Sequence, residues 1–77
     1  MNASVRPVHT RVPGRARFRV PDLYQAAEAA RRLEDDLRRR PGILQAKANP
    51  TTRSVLVFFD TTLDWQGVAD MLRQTVT

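Results

Sequence analysis

A strict alternation of apolar and charged residues runs from Arg15 to Val20. Its apolar residues are Ala16, Phe18 and Val20, and its charged residues are Arg15, Arg17 and Arg19. A period of two places these two sets on opposite faces of an extended chain. The pattern therefore predicts a strand over residues 15–20 with one buried face and one arginine-bearing face.

Three other segments also have strand character. Residues 8–12 alternate and lead into Pro13-Gly14, a pair that fits the two central positions of a type II turn. Residues 43–48 alternate weakly. Residues 54–59 are apolar on both faces and rich in β-branched and aromatic side chains, which is typical of a central strand. We therefore predict strands over all three segments.

Two segments have helical periodicity. The first spans residues 22–39, with Asp22 as the predicted N-cap, Gln25 completing a capping box, and basic residues in the last turn before Pro41-Gly42. The second begins after Asp64, also a predicted N-cap. Its apolar stripe consists of Trp65, Val68, Ala69, Leu72 and Val76.

This order of elements predicts an α+β fold, a ferredoxin-like two-layer sandwich with two helices on one face of an antiparallel sheet. That fold normally ends with a fourth strand after the second helix, and this sequence ends at Thr77. We predict that residues 8–12 fold back on the strand 15–20 and occupy the vacant edge. The whole of residues 1–77 is predicted to be one domain, with a loose start over residues 1–6.

The amino-acid composition limits the kinds of functional site that this chain can form. The chain has 77 residues, a net charge of +5 and no cysteine, so it can form neither a disulfide nor a thiolate metal site. His9 is the single histidine, and no glycine-rich phosphate loop or nucleophile–base pattern is present. We expect no enzymatic activity, no catalytic residue, no cofactor and no bound metal.

Charge and hydropathy bear on partners and location. A net positive charge favours anionic partners, although twelve of the thirteen basic residues are arginine, which is also typical of GC-rich genomes. The acidic run Glu34-Asp35-Asp36 is best interpreted as a solvated helix face with i,i+4 pairs to Arg38 and Arg40. No signal peptide or membrane-spanning stretch is apparent, so we expect a cytoplasmic protein without membrane insertion, or a soluble piece beside a larger membrane protein.

Several landmarks together resemble a heavy-metal-associated (HMA) domain. They are Pro13 to Pro21, Leu33-Glu34, Pro41-Gly42, Ala48 to Thr51 and Val55 to Asp60. The sequence is most similar to the cysteine-free branch of this family, found alone or at the N-terminus of cation-transporting P-type ATPases. The resemblance covers about residues 8–76 and implies the ferredoxin-like fold and an association with metal-ion transport.

Two departures from the family pattern matter. Metal-carrying members place a Cys-x-x-Cys pair between the first strand and the first helix, where thiolates bind soft ions. The equivalent residues 20–26 contain no Cys, Met or His, so no ligand role is implied. Arg53 stands where the cysteine-free branch commonly has glycine.

The predicted open face of the sheet is the candidate site. It combines basic residues with an outward leucine and phenylalanine, although solvated sheets usually expose polar residues. Its members are Arg15, Arg17, Arg19, Lys47, Leu56 and Phe58. Either a partner covers this face, or long arginine stems shield its apolar side chains.

We predict a non-catalytic protein-interaction or regulatory module. Its partner would be a second copy of the chain, a transporter or a neighbouring domain. The alternative is single-stranded nucleic-acid binding, since RNA binders of this fold stack bases on aromatic residues of the two central strands. Phe58 is on one of these strands, but its neighbour offers Arg17 and no second ring.

Overall fold

The computed structural model describes residues 5–23 and 25–76. Four strands form one antiparallel sheet in the order β1-β2-β4-β3, which carries two α-helices. The strands are β1 (Arg6–His9), β2 (Arg15–Arg19), β3 (Ile43–Asn49) and β4 (Ser54–Phe59). The helices are α1 (Ala27–Arg38) and α2 (Trp65–Val76). The predicted ferredoxin-like α+β fold is confirmed.

The core lies between the sheet and the helices. Alternate residues of β2 and β4 point into it, because Ala16, Phe18, Val55 and Val57 are all fully buried. The helices supply the opposite wall, which consists of Ala30, Leu33, Leu37, Val68, Ala69 and Leu72. The face assignments predicted for both central strands are therefore correct.

The first strand does occupy the vacant edge beside β2, but its predicted bounds were wrong. It runs from Arg6 to His9 and not over residues 8–12. Val12 and Arg15 are joined by a 3.1 Å backbone hydrogen bond, and Gly14 has φ +76, so the predicted type II turn is present. It lies inside a longer connection between β1 and β2.

The bounds of β1 were predicted wrongly because the valine that is buried differs from the valines that the alternation indicated. Val8 and Val12 looked like the buried positions of a strand, but they remain 50% and 54% exposed. Val5, which is only 6% exposed, contributes to the core instead. The loose start predicted for residues 1–6 was therefore wrong for Val5 and Arg6, and residues 1–4 lie outside the described part of the chain.

The first helix starts later than predicted. Residues 21–23 form a 3₁₀ turn, Gln25 adopts φ +56, and α1 begins after Ala26, which makes no side-chain capping bond. The predicted Asp22 cap and its capping box were therefore wrong, because Gln25, the second residue of the box, has a left-handed backbone and separates Asp22 from the start of α1. Tyr24 lies outside the described residues.

The second helix has the predicted cap. The Gly67 N–H donates to Asp64 Oδ1 at 2.7 Å, which satisfies one of the free donors of the first turn. Val68 and Leu72 of its predicted stripe are fully buried, and Trp65 packs against the core at its edge. The side chain of Val76 lies outside the described part of the structure.

Candidate interaction surface on the open sheet face

The open sheet face is the side of the sheet that α1 and α2 leave uncovered. Cross-strand pairs in an antiparallel sheet point to the same side, so the register defines its rows. Arg15 lies beside Phe58, which pairs with Gln45, and Arg17 lies beside Leu56, which pairs with Lys47. Arg19 pairs with Ser54 in the next row. The structure therefore brings all six predicted site residues together on β2, β4 and β3.

The two apolar members of this face are partly covered. Phe58 and Leu56 are half-buried rather than exposed. The Arg15 guanidinium carbon lies 6.0 Å from the centroid of the Phe58 ring, which is within the range of a cation–π contact. Shielding by an arginine side chain therefore accounts for the outward phenylalanine.

The open sheet face carries the net charge of the whole molecule. The four strands contain four arginines and Lys47 but no aspartate or glutamate. The eight remaining basic residues and all eight acidic residues lie outside the strands and cancel. The net charge of +5 thus resides in the sheet, while the helices and connections are neutral in sum.

None of these strand cations is neutralised within the described part of the chain. Ion pairs there join Arg38 to Asp35 and Arg73 to Asp70, each within one helix. The expected pairs of Glu34 with Arg38 and of Asp36 with Arg40 did not form. Arg40 instead donates to side chains of α2. The sheet cations remain available to a partner.

Three residues of this surface were missed from the sequence. Arg6 pairs with Arg19 and His9 pairs with Arg17, so both share the open sheet face. Arg11 follows on the connection to β2 and lines a groove with Arg15 and Arg17. A signal was present for His9 and Arg11, which alternate with Val8, Thr10 and Val12. Arg6 has the opposite parity, and only the bulge between Pro7 and His9 brings it to the same face, so no simple alternation could have found it.

This groove, which we call the hairpin groove, has a volume of about 440 Å³. It lies at the end of the open sheet face where β1 connects to β2. It is lined by Val8, His9, Thr10, Arg11, Val12, Arg15 and Arg17. Val8 and Val12 are two of the three exposed large hydrophobic residues among those described, the third being Leu44. Exposed apolar surface and unpaired cations therefore occur side by side in the groove.

Both edges of the sheet are blocked against a further strand. On β3, the Ala48 N–H donates to Glu34 Oε2 at 2.8 Å, and the Ala46 carbonyl accepts from Arg38 Nη2 at 3.3 Å. On β1, Pro7 lacks an N–H, and the register shifts between Pro7 and His9. The open sheet face is thus a better docking surface than either edge.

The family model of the heavy metal associated domain 2 (HMA_2) matches residues 3–72. The chain belongs to this family. The match covers most of the 77 residues and agrees with the four-stranded sheet and two helices described above. No curated protein and no solved structure matches the chain.

This HMA_2 domain lacks the ligands that the family name suggests. It has no cysteine, and the described residues contain no group of three or more His, Cys, Asp or Glu side chains placed to hold a metal ion. Within the described residues, neither helix has the length and apolar character required to cross a bilayer. The chemical feature that stands out on the described surface is the positive charge of its sheet.

Proposed function

We propose that this HMA_2 domain is a non-catalytic binding module whose open sheet face docks on an acidic protein partner. The observation that carries the proposal is the location of the entire net charge of +5 in the strands, with no acid among them. A surface on which all charges are positive raises the association rate of an acidic partner and disfavours the binding of basic proteins.

The composition of the face favours protein over single-stranded nucleic acid. Binders of single strands use aromatic rings as stacking platforms for successive bases. Here Phe58 is the one outward phenylalanine, tyrosine or tryptophan on the described strands, and the Arg15 guanidinium already lies over it. Its neighbours in the same row are Arg15 and Gln45, and His9 lies in a different row beside Arg17, so no second large aromatic ring lies next to Phe58 on the described strands.

Family membership suggests the setting of this interaction. The chain belongs to a family named for heavy metals, yet it has no thiolate with which to hold a soft ion. We therefore place its role in metal-ion transport at the level of regulation, with the partner an acidic surface of a transport protein. This setting rests on the family alone.

The experiment is a titration of the isotope-labelled chain, followed by amide chemical shifts. The probes are a glutamate-rich 20-residue peptide and a single-stranded oligonucleotide of equal charge, at one ionic strength. We expect the peptide to change the amide chemical shifts of β1, β2 and β4. We expect Arg17→Glu to lower the affinity for the peptide by at least about threefold. Arg31→Glu is the matched control, because Arg31 is also exposed but lies on α1.

Two results would overturn the proposal. Equal loss of binding in the Arg31→Glu variant would show that only net charge matters and not the face. Tighter binding of the oligonucleotide than of the peptide would assign the face to nucleic acid instead.

A further inference from the structure

The hairpin groove differs from the rest of the open sheet face in having free apolar surface. At the centre of the face, Leu56 and Phe58 are half-buried, and the Arg15 guanidinium lies over the Phe58 ring. In the groove, Val8 and Val12 are each at least half exposed. An apolar side chain of a partner would therefore gain more contact in the groove than at the centre of the sheet.

The groove is also lined by positively charged side chains that no carboxylate in its walls neutralises. Arg11, Arg15 and Arg17 line it together with His9, and no carboxylate contributes to its walls. The second groove of the molecule offers a contrast. It lies against α1, has a volume of about 360 Å³, and places Asp22 and Asp36 beside Arg32. Of these two grooves, the hairpin groove is the one whose charge selects the sign of its ligand.

We infer that the partner presents an acidic peptide segment with an aliphatic side chain, and that this side chain seats between Val8 and Val12. Carboxylates on either side of it pair with Arg11, Arg15 and Arg17. This inference deepens the proposed function and rests on it, because it names the segment of the acidic partner that makes the contact. Charge complementarity and the adjacent exposed valines determine the choice of occupant.

The geometry of the hairpin explains why the groove stays open. The bulge between Pro7 and His9 gives β1 one extra residue opposite Arg17, and the connection continues through residues 10–12 before the type II turn. Bulges bend the strand that contains them and redirect its side chains. Val8 therefore escapes the core that Val5 joins, and Val12 on the turn lines the same groove.

The test compares two acidic peptides of equal length and charge, one with a central leucine and one with serine in its place. With the unaltered chain we expect the leucine peptide to bind about tenfold more tightly, as expected for burial of one aliphatic side chain. This preference should persist at high salt, where the charge contribution to both affinities falls.

The decisive variant is the double substitution Val8→Ser with Val12→Ser, which should abolish the preference. Leu44→Ser is its matched control, because Leu44 is an exposed aliphatic residue on β3 that does not line the groove. An unchanged leucine preference in the double variant, or no preference in the unaltered chain, would overturn the inference.

The same titrations separate this inference from the proposed function. If Arg17→Glu weakens both peptides while the valine substitutions change nothing, the open sheet face binds acidic protein without a groove anchor. If Arg17→Glu weakens neither peptide, the proposed function itself fails.

Discussion

At the residue scale, Arg53 carries a backbone conformation that suits glycine. It has φ +60 in the turn between β3 and β4. The turn is fixed on both sides, because Asn49 Oδ1 accepts from Thr51 and Thr52, and the Arg53 carbonyl accepts from Val20 at 2.7 Å. The family resemblance implied glycine at this position, and the positive φ supplies the physical reason.

This conformation predicts a stability difference between two substitutions. Arg53→Gly and Arg53→Ala remove the same side chain, but only alanine keeps the steric cost of the left-handed region. We expect the glycine variant to be more stable than the alanine variant by about 1 kcal/mol, measured by urea unfolding. Equal midpoints for the two variants would show that the turn relaxes away from positive φ.

At the element scale, α1 protects the edge of β3. Glu34 and Arg38 lie one turn apart on the helix and occupy the outward N–H of Ala48 and the outward carbonyl of Ala46. The acidic run of α1 is thus not only a solvated face. One of its carboxylates takes the place that a neighbouring strand would otherwise fill.

Loss of the hydrogen bond from Ala48 to Glu34 should destabilise the fold and leave the edge of β3 free to pair with another strand. For Glu34→Ala we expect a loss of about 1–2 kcal/mol in the free energy of unfolding, since a hydrogen bond to a charged acceptor is removed. Self-association should also increase, as measured by sedimentation over a range of concentrations.

The control for this variant is Asp36→Ala, which changes the net charge equally but removes an exposed carboxylate of the same helix. It should alter stability by no more than about 0.5 kcal/mol. Similar behaviour of the two variants would contradict the edge-protection role of Glu34.

At the scale of the whole molecule, β1 completes a fold that would otherwise have an open side. It covers the free edge of β2, a central strand, and brings Val5 into the core. It also adds Arg6 and His9 to the open sheet face. One short segment therefore contributes to stability and to the candidate site.

Removal of residues 1–9 tests this double contribution. We expect the shortened chain to lose at least about 2 kcal/mol of stability, since Val5 is no longer buried and β2 becomes an unpaired edge. Urea unfolding and light scattering would measure the loss and any self-association. Val8→Ala is the control within β1, because this exposed side chain should leave the unfolding midpoint unchanged. A shortened chain with full stability would show that β1 is dispensable.

Local periodicity in the sequence determined much of this fold. The alternation over β2 and the β-branched run of β4 were sufficient to assign their buried and outward faces, because a side chain's face depends only on its own strand. The same reasoning found the Asp64 cap and placed the six candidate site residues on one face of the sheet. It failed at Asp22 and at residues 8–12, where a left-handed Gln25 and the choice of Val5 as the core residue depend on contacts with the rest of the chain.

The sequence by itself determined the net charge, the absence of thiols, the order of elements and the faces of the central strands. Only the tertiary structure decided the bounds of β1 and its register against β2, and hence that Arg6 and His9 join Arg15, Arg17 and Arg19 on one surface. It also decided that Glu34 caps a strand edge, and that the free valines lie beside unpaired arginines. The physical reason is that register and packing bring together residues distant in the chain, and no local pattern encodes which of them will meet.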